Sequence, residues 1–114
     1  MAQIDWKEFN DYFKYFDKEI TIEVINIYIN EYDERIRTLE KNIEEKDFVN
    51  LAFNAHSLKS VISNYMAPSV YSLSQSLVDL AKKDDIQHIP ETFEELKKAS
   101  KELLYELIGY LHKR

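Results

Sequence analysis

Cysteine is absent from this chain of 114 residues, and glycine and proline are scarce. Without cysteine there is no disulfide framework, no thiolate zinc site and no cysteine nucleophile. One glycine, Gly109, and two prolines, Pro68 and Pro90, leave little material for hairpin turns and none for a glycine-rich phosphate loop. The sequence therefore favours a few long helices and excludes an ATP-binding kinase domain.

Clustered positive charge is also missing, and the formal net charge is −6. Nucleic acids and anionic membranes are bound by basic faces, so neither is expected as a partner. The first residues, MAQIDWKEF, do not resemble a secretory signal, and no apolar run is long enough to span a bilayer. We therefore expect a cytoplasmic protein.

Apolar residues make up 45% of the chain, enough for the core of one domain over residues 1–114. Their steps of three and four predict a short first helix over about residues 5–16 and four longer helices. The predicted starts are Asp5 with Glu8, Asp17, Asp47, Pro68, and Thr92 with Glu95. Residues 20–29, ITIEVINIYI, also alternate as a strand would, although the helical rhythm continues beyond them.

The predicted fold is all-α. Four long helices with short connections favour an antiparallel up-down-up-down four-helix bundle, with the short N-terminal helix closing one end. The expected core positions are Ile22, Ile25, Ile29, Tyr32, Ile36, Leu39 and Ile43 on the second helix, Phe48, Leu51, Ala55, Leu58, Ile62 and Tyr65 on the third, and Val70, Leu73, Leu77 and Leu80 on the fourth.

His56 stands outside this core pattern. Residues three, four and seven positions away share its side of the helix. These neighbours are Val49, Ala52, Phe53, Lys59, Ser60 and Ser63. Three of them, Ala52, Ser60 and Ser63, are small, so another protein can approach closely. An exposed imidazole beside an ammonium suits a nucleophile that accepts a phosphoryl group, while spacing alone leaves an ordinary solvated histidine as the alternative.

The stretch AHSLKS, residues 55–60, followed by SNYMAPSVYSLSQSLVDLAK, resembles the signature of histidine-containing phosphotransfer (HPt) domains. That signature is A-H-x-L-K-G, a small-residue turn and a leucine-rich helix. The matching positions are Ala55, His56, Leu58, Lys59, Ala67, Val70, Leu73 and Leu77. The sequence departs at Ser60 and Met66, where glycine is common, and at Val78, where polar residues are frequent. A side chain at Met66 is strained if the turn requires a positive φ, and unstrained if the turn has another geometry.

The resemblance implies a phosphocarrier of a two-component phosphorelay. His56 would accept a phosphoryl group from the aspartyl phosphate of a receiver domain and pass it to another receiver aspartate, with Lys59 stabilising the group. The expected partners are receiver domains of response regulators and of a hybrid histidine kinase, and the chain is expected to act as a monomer. It would need no cofactor of its own, because Mg²⁺ is expected on the receiver.

A docking surface follows from the pairing of the third and fourth helices. If they run antiparallel, residues about ten positions beyond their turn lie level with His56. That places Tyr71, Gln75, Val78 and Lys82 beside the histidine as candidate receiver contacts, with core packing as the alternative for Tyr71 and Val78.

Two other classes of protein remain as alternatives. A module with the HPt fold that binds receivers without phosphotransfer would keep the docking face and lose the chemistry. A metal-binding bundle would need inward Glu-x-x-His pairs, which the sequence lacks, so no metal site is expected. Asp85 and His88 have a suitable separation but fall in a connector.

Overall fold

The computed structural model describes residues 2–113, and all regular secondary structure in that range is helical. Helix α1 spans Trp6–Phe13, α2 spans Lys18–Glu44, α3 spans Phe48–Ile62, α4 spans Pro68–Lys82 and α5 spans Ile89–His112. A 3₁₀ turn over Ser63–Tyr65 directly follows α3. Residues 20–29 lie within α2, so the helical interpretation is right and the strand alternative is wrong.

The four long helices pack in a closed ring: α2 contacts α3, α3 contacts α4, α4 contacts α5, and α5 returns to α2. Helix α2 has 27 residues, and a rise of 1.5 Å per residue makes it about 40 Å long. It therefore accounts for the 43 Å long axis of the molecule, whose other two extents are 22 and 20 Å. The core runs along this axis between the four helices.

Helix α2 presents one buried stripe to the core. The stripe comprises Ile25, Tyr28, Tyr32, Ile36 and Leu39, with Thr21 and Asn42 at its ends. The predicted stripe was correct at its centre. Ile22, Ile29 and Ile43 are only half-buried at its edge.

Two tyrosines bury both their rings and their hydroxyls. The Tyr28 hydroxyl donates to the carbonyl oxygen of Ser100 at 2.8 Å, and the Tyr65 hydroxyl donates to that of Val24 at 2.6 Å. These bonds satisfy the polar end of each ring inside the core. Burial raises the pKa of Tyr65 to about 12 and raises the pKa of Tyr28 further, because the phenolate loses its hydration.

Side-chain caps define two of the helix starts as predicted. The carboxylate of Asp5 accepts from the backbone N–H of Glu8 at 3.1 Å, and that of Asp47 accepts from Asn50 at 3.2 Å. Asp17 precedes α2 without a side-chain cap bond.

The predicted start of α5 at Thr92 is wrong, because the helix begins at Ile89. Pro90 lies in its first turn, where the missing N–H of proline breaks no helical hydrogen bond. The carboxylate of Asp85 accepts from the backbone N–H of His88 at 3.2 Å, ahead of the helix.

Helix α1 and the turn between α3 and α4 meet at one end of the molecule. The ring of Trp6 stacks on Tyr110 with centroids 5.7 Å apart, and the N–H of Asp5 donates to the carbonyl oxygen of Met66 at 2.8 Å. Met66 has φ +54° and ψ +49°, the left-handed conformation that glycine adopts most easily. The strained alternative for Met66 is therefore the one that the structure shows.

Candidate functional site

His56 lies on the exposed side of α3, where the chain places no bulky core residue over it. The α3 stripe that carries it consists of Val49, Phe53, His56 and Ser60, continued by Ser63 in the 3₁₀ turn, and all five residues are exposed. Ala55, Leu58 and Ile62 occupy the opposite, buried side. Helical periodicity thus separates the imidazole from the core, as the sequence predicted.

The imidazole of His56 has no hydrogen-bond partner among residues 2–113. The side chain of His88, by contrast, contacts the carboxylate of Asp85, with Nδ1 at 2.9 Å from Oδ1. That contact lowers the pKa of the Asp85 carboxyl, and it occupies one nitrogen of the ring. Within the described residues, both ring nitrogens of His56 are therefore accessible to an incoming group, whereas Nδ1 of His88 already contacts Asp85.

Lys59 lies one turn after His56 and reaches toward α4. Its ammonium nitrogen donates to Oε1 of Gln75 at 2.6 Å and lies 5.6 Å from the centre of the Tyr71 ring. Both contacts are to neutral groups, and no carboxylate pairs with Lys59 within residues 2–113. The ammonium is consequently held in place while its charge remains available to an anion.

The small residues around His56 leave the imidazole accessible. The hydroxyl of Ser60 donates to the carbonyl oxygen of His56 at 3.1 Å, and the hydroxyl of Ser63 donates to that of Ser60 at 2.6 Å. Each hydroxyl thus folds back onto its own helix. Ala52, half-buried on the preceding turn, adds only a methyl group. Glycine is therefore not required at Ser60 for access.

Of the four predicted docking residues on α4, the structure brings Tyr71 and Gln75 to Lys59, as described above. Lys82 is exposed at the last turn of α4. Val78 is only 2% exposed and belongs to the core, so its prediction as a docking contact is wrong.

The core face of α4 explains the error at Val78. The buried set is Val70, Ser74, Leu77, Val78 and Ala81, whereas Leu73 and Leu80 of the predicted stripe are half-buried. Ser74 can face the core because its hydroxyl donates to the carbonyl oxygen of Val70 at 2.9 Å. The true core face of α4 therefore includes a serine, which a stripe predicted from apolar residues alone omits.

Two exposed apolar residues next to His56 were not predicted as contacts. Val49 is 82% exposed and Phe53 is 70% exposed, two turns and one turn before His56. Large apolar side chains at this exposure, grouped on one face, mark interaction surfaces. The sequence did indicate their exposure, because both residues share the helical face of His56 and neither belongs to the core stripe.

An apolar groove lies where α1, α2 and α3 meet. Its lining residues are Tyr12, Phe13, Phe16, Ile20, Val24, Ile27, Val61, Asn64 and Tyr65. Tyr12, Phe16, Ile20 and Ile27 are each exposed by 40% or more. Val61 lies five residues after His56, about 8 Å further along the helix axis. The groove therefore lies further along α3 than the histidine, toward α1.

Residues 2–113 contain no group of three or more histidine, aspartate or glutamate side chains arranged to hold a metal ion. No helix in that range combines the length and apolar character needed to cross a bilayer.

The Hpt domain family model matches residues 23–106, a range that includes α3 and α4 and thus the whole surroundings of His56. The chain belongs to the Hpt domain family. No curated protein sequence matches it. Among solved structures, it is similar to histidine-containing phosphotransfer protein B (HptB) from Pseudomonas aeruginosa PAO1, with a TM-score of 0.90 and 17% identity. The match covers 98% of this chain and 96% of that one, so the two share a fold.

Membership of the Hpt family assigns the chain to histidine phosphotransfer in a phosphorelay. Hpt domains are phosphocarriers that interact with receiver domains of two-component systems. The phosphocarrier interpretation made from AHSLKS is therefore confirmed.

Proposed function

We propose that His56 is the phosphoaccepting residue and that Lys59 stabilises the phosphoryl group. The observation that carries this proposal is an exposed imidazole without a partner in the described structure, one helical turn from an ammonium held by neutral groups. Phosphoryl transfer needs a positioned nucleophile and positive charge more than covalent machinery.

The transfer step follows from this arrangement. A nitrogen of the His56 imidazole forms a bond to the phosphorus of an aspartyl phosphate, while the bond from phosphorus to the aspartate oxygen breaks. The electron pair of that bond returns to the receiver carboxylate. Lys59 attracts the charge on the equatorial phosphoryl oxygens during the step, and the reverse reaction delivers the group to another receiver aspartate.

The Mg²⁺ that such a reaction uses belongs to the receiver in this proposal, and the Hpt chain has no cofactor of its own. The phosphoryl donor is the receiver of a hybrid histidine kinase and the acceptor is the receiver of a response regulator. Such kinases draw their phosphoryl groups from ATP, and we place the relay in the cytoplasm with them.

The ring of contacts among α2 to α5 supports an up-down-up-down antiparallel bundle as the frame for this chemistry.

The receiver docks, in this proposal, across the apolar surface that flanks His56. Val49 and Phe53 form one side, and the groove beside α1 and α2 forms the other. Tyr71, which is 41% exposed, and the serines of the α3 stripe lie beside this apolar surface. An apolar centre with a polar rim is the usual build of a protein interface.

We expect the chain to be a monomer, because this surface is then free for receivers, and sedimentation velocity measures this directly.

Incubation with a phosphorylated receiver tests the proposed acceptor. We expect the parent chain and His88→Gln to become labelled and His56→Gln to remain unlabelled, because only the latter removes the nucleophile. Labelling of His56→Gln at the parental rate contradicts the proposal. If the parent binds the receiver but takes no label, the chain is instead an adaptor with the Hpt fold.

A further inference from the structure

Helices α3 and α4 are joined by a chain of three polar side chains. Asp79, on the surface of α4, accepts from Nε2 of Gln75 at 2.8 Å. Gln75 in turn accepts from Nζ of Lys59 through its Oε1 at 2.6 Å. The chain therefore runs from a carboxylate, through an amide, to the ammonium one turn from His56.

The carboxylate of Asp79 determines which way the amide of Gln75 points. A glutamine amide has an oxygen and an NH₂ group of nearly the same shape, and it can rotate to exchange them. An ionised carboxylate only accepts hydrogen bonds, so the NH₂ group must face Asp79. The oxygen of Gln75 then faces Lys59, which only donates. Each charged end favours the same amide orientation.

The amide also keeps the two charges apart. A carboxylate in direct contact with Lys59 would neutralise its charge, which the phosphoryl group needs. With Gln75 between them, Asp79 orders the lysine without forming an ion pair with it. The face of the Tyr71 ring, 5.6 Å from Nζ, adds a second neutral contact.

We propose that Asp79 is a positioning residue for phosphotransfer, which acts through Gln75 to hold the Lys59 ammonium beside the phosphoryl group on His56. The inference deepens the proposed function and rests on it. Asp79 itself does not touch the reacting atoms. Lys59 has a long, flexible side chain, so fixing its ammonium before transfer lowers the entropy lost in the transition state.

The test uses the intact chain and a phosphorylated receiver, with the transfer rate measured over a range of receiver concentrations. We expect Asp79→Ala to lower the saturating rate about 3- to 10-fold, the effect of losing a hydrogen-bond acceptor, and to leave the half-saturating receiver concentration unchanged. Asp79→Asn retains an acceptor oxygen for Gln75 and should restore most of the rate. Glu94→Ala, an exposed acid-to-alanine change on α5, is the matched control and should transfer at the parental rate.

A double-mutant comparison separates positioning from a general structural effect. Lys59→Met removes the ammonium that Asp79 is proposed to position, so adding Asp79→Ala to it should change the rate less than about twofold. Gln75→Glu should slow the parent chain, because its carboxylate pairs with Lys59 directly.

Three results would overturn the inference: an undiminished effect of Asp79→Ala in the Lys59→Met chain, an Asp79→Asn variant as slow as Asp79→Ala, or a change confined to the half-saturating concentration. None of these affects the labelling of His56 itself. Failure of the proposed acceptor shows instead as label on His56→Gln, so the two failures are distinguishable.

Discussion

Met66 provides a direct test of the backbone geometry at the turn between α3 and α4. Its φ of +54° lies in the left-handed region, which costs an L-residue about 1–2 kcal/mol. Replacement by glycine removes that strain, and replacement by alanine keeps it. Both variants lose the same thioether contacts, so these cancel when glycine and alanine are compared with each other.

The expected difference follows from two opposing effects. Glycine gains the relief of strain but loses about 0.4–1 kcal/mol through the greater freedom of the unfolded chain. The Met66→Gly chain should therefore be more stable than Met66→Ala by about 0.5–1 kcal/mol. For a domain of this size, that difference corresponds to roughly 2–4 °C in Tm.

Ser72 supplies the matched control, because it is exposed within α4 and has ordinary helical geometry. There the order should reverse, with Ser72→Ala more stable than Ser72→Gly by about 1 kcal/mol. Urea unfolding followed by far-ultraviolet circular dichroism measures all four variants. If alanine at position 66 is as stabilising as glycine, Met66 does not have a positive φ and the turn geometry described above is incorrect.

Three further predictions concern stability and docking. Tyr65 has a pKa of about 12 in the native chain against about 10 in the unfolded chain. The unfolding free energy should therefore fall as pH rises from 10 to 12, by up to about 1.4 kcal/mol per pH unit. The fall should be less steep in Tyr65→Phe. Val78→Ala should cost about 2 kcal/mol of stability and leave receiver affinity unchanged, whereas Phe53→Ala should weaken receiver binding at unchanged stability. Glu106 accepts hydrogen bonds from the backbone N–H groups of residues 3 and 4, so Glu106→Leu should speed their amide exchange about tenfold.

Each of these predictions has a contradicting result. Urea titrations between pH 9 and 12 that give the same slope for Tyr65→Phe and the parent would show that burial of this phenol does not cause the alkaline loss. Equal effects of Val78→Ala and Phe53→Ala on receiver affinity, measured by calorimetry, would place Val78 at the interface after all. Unchanged exchange in Glu106→Leu, measured by NMR, would show that the N-terminal segment is held by other contacts.

Helix α3 shows how much local sequence determines. Asp47 caps it through a bond to a residue three positions away, and the apolar stripe from Leu51 to Ile62 repeats the helical period. Both signals involve only near neighbours in the chain. The predicted helix and its buried face were therefore correct, although its last turn is a 3₁₀ turn over Ser63–Tyr65.

Helices α4 and α5 show where local signals are insufficient. The core face of α4 includes Ser74, whose hydroxyl donates to the carbonyl oxygen of Val70 on the same helix. It also includes Val78, whereas Leu73 and Leu80 of the predicted stripe are only half-buried. At α5, the capping pair Thr92 and Glu95 predicted a start that the helix does not use, because it begins at Ile89. The true start depends on the backbone conformation of the connector, in which the backbone N–H of His88 donates a hydrogen bond to the Asp85 carboxylate.

The sequence by itself determined that His56 lies on an exposed helical face with Lys59 one turn away, because spacing along a helix decides which side chains share a side. It also determined the family, through the residues around that histidine. Only the tertiary structure decided that Lys59 is held by Gln75 and Tyr71, and that Val78 is in the core. Those contacts depend on the rotation and register of α4 against α3, which packing of the whole ring of helices sets.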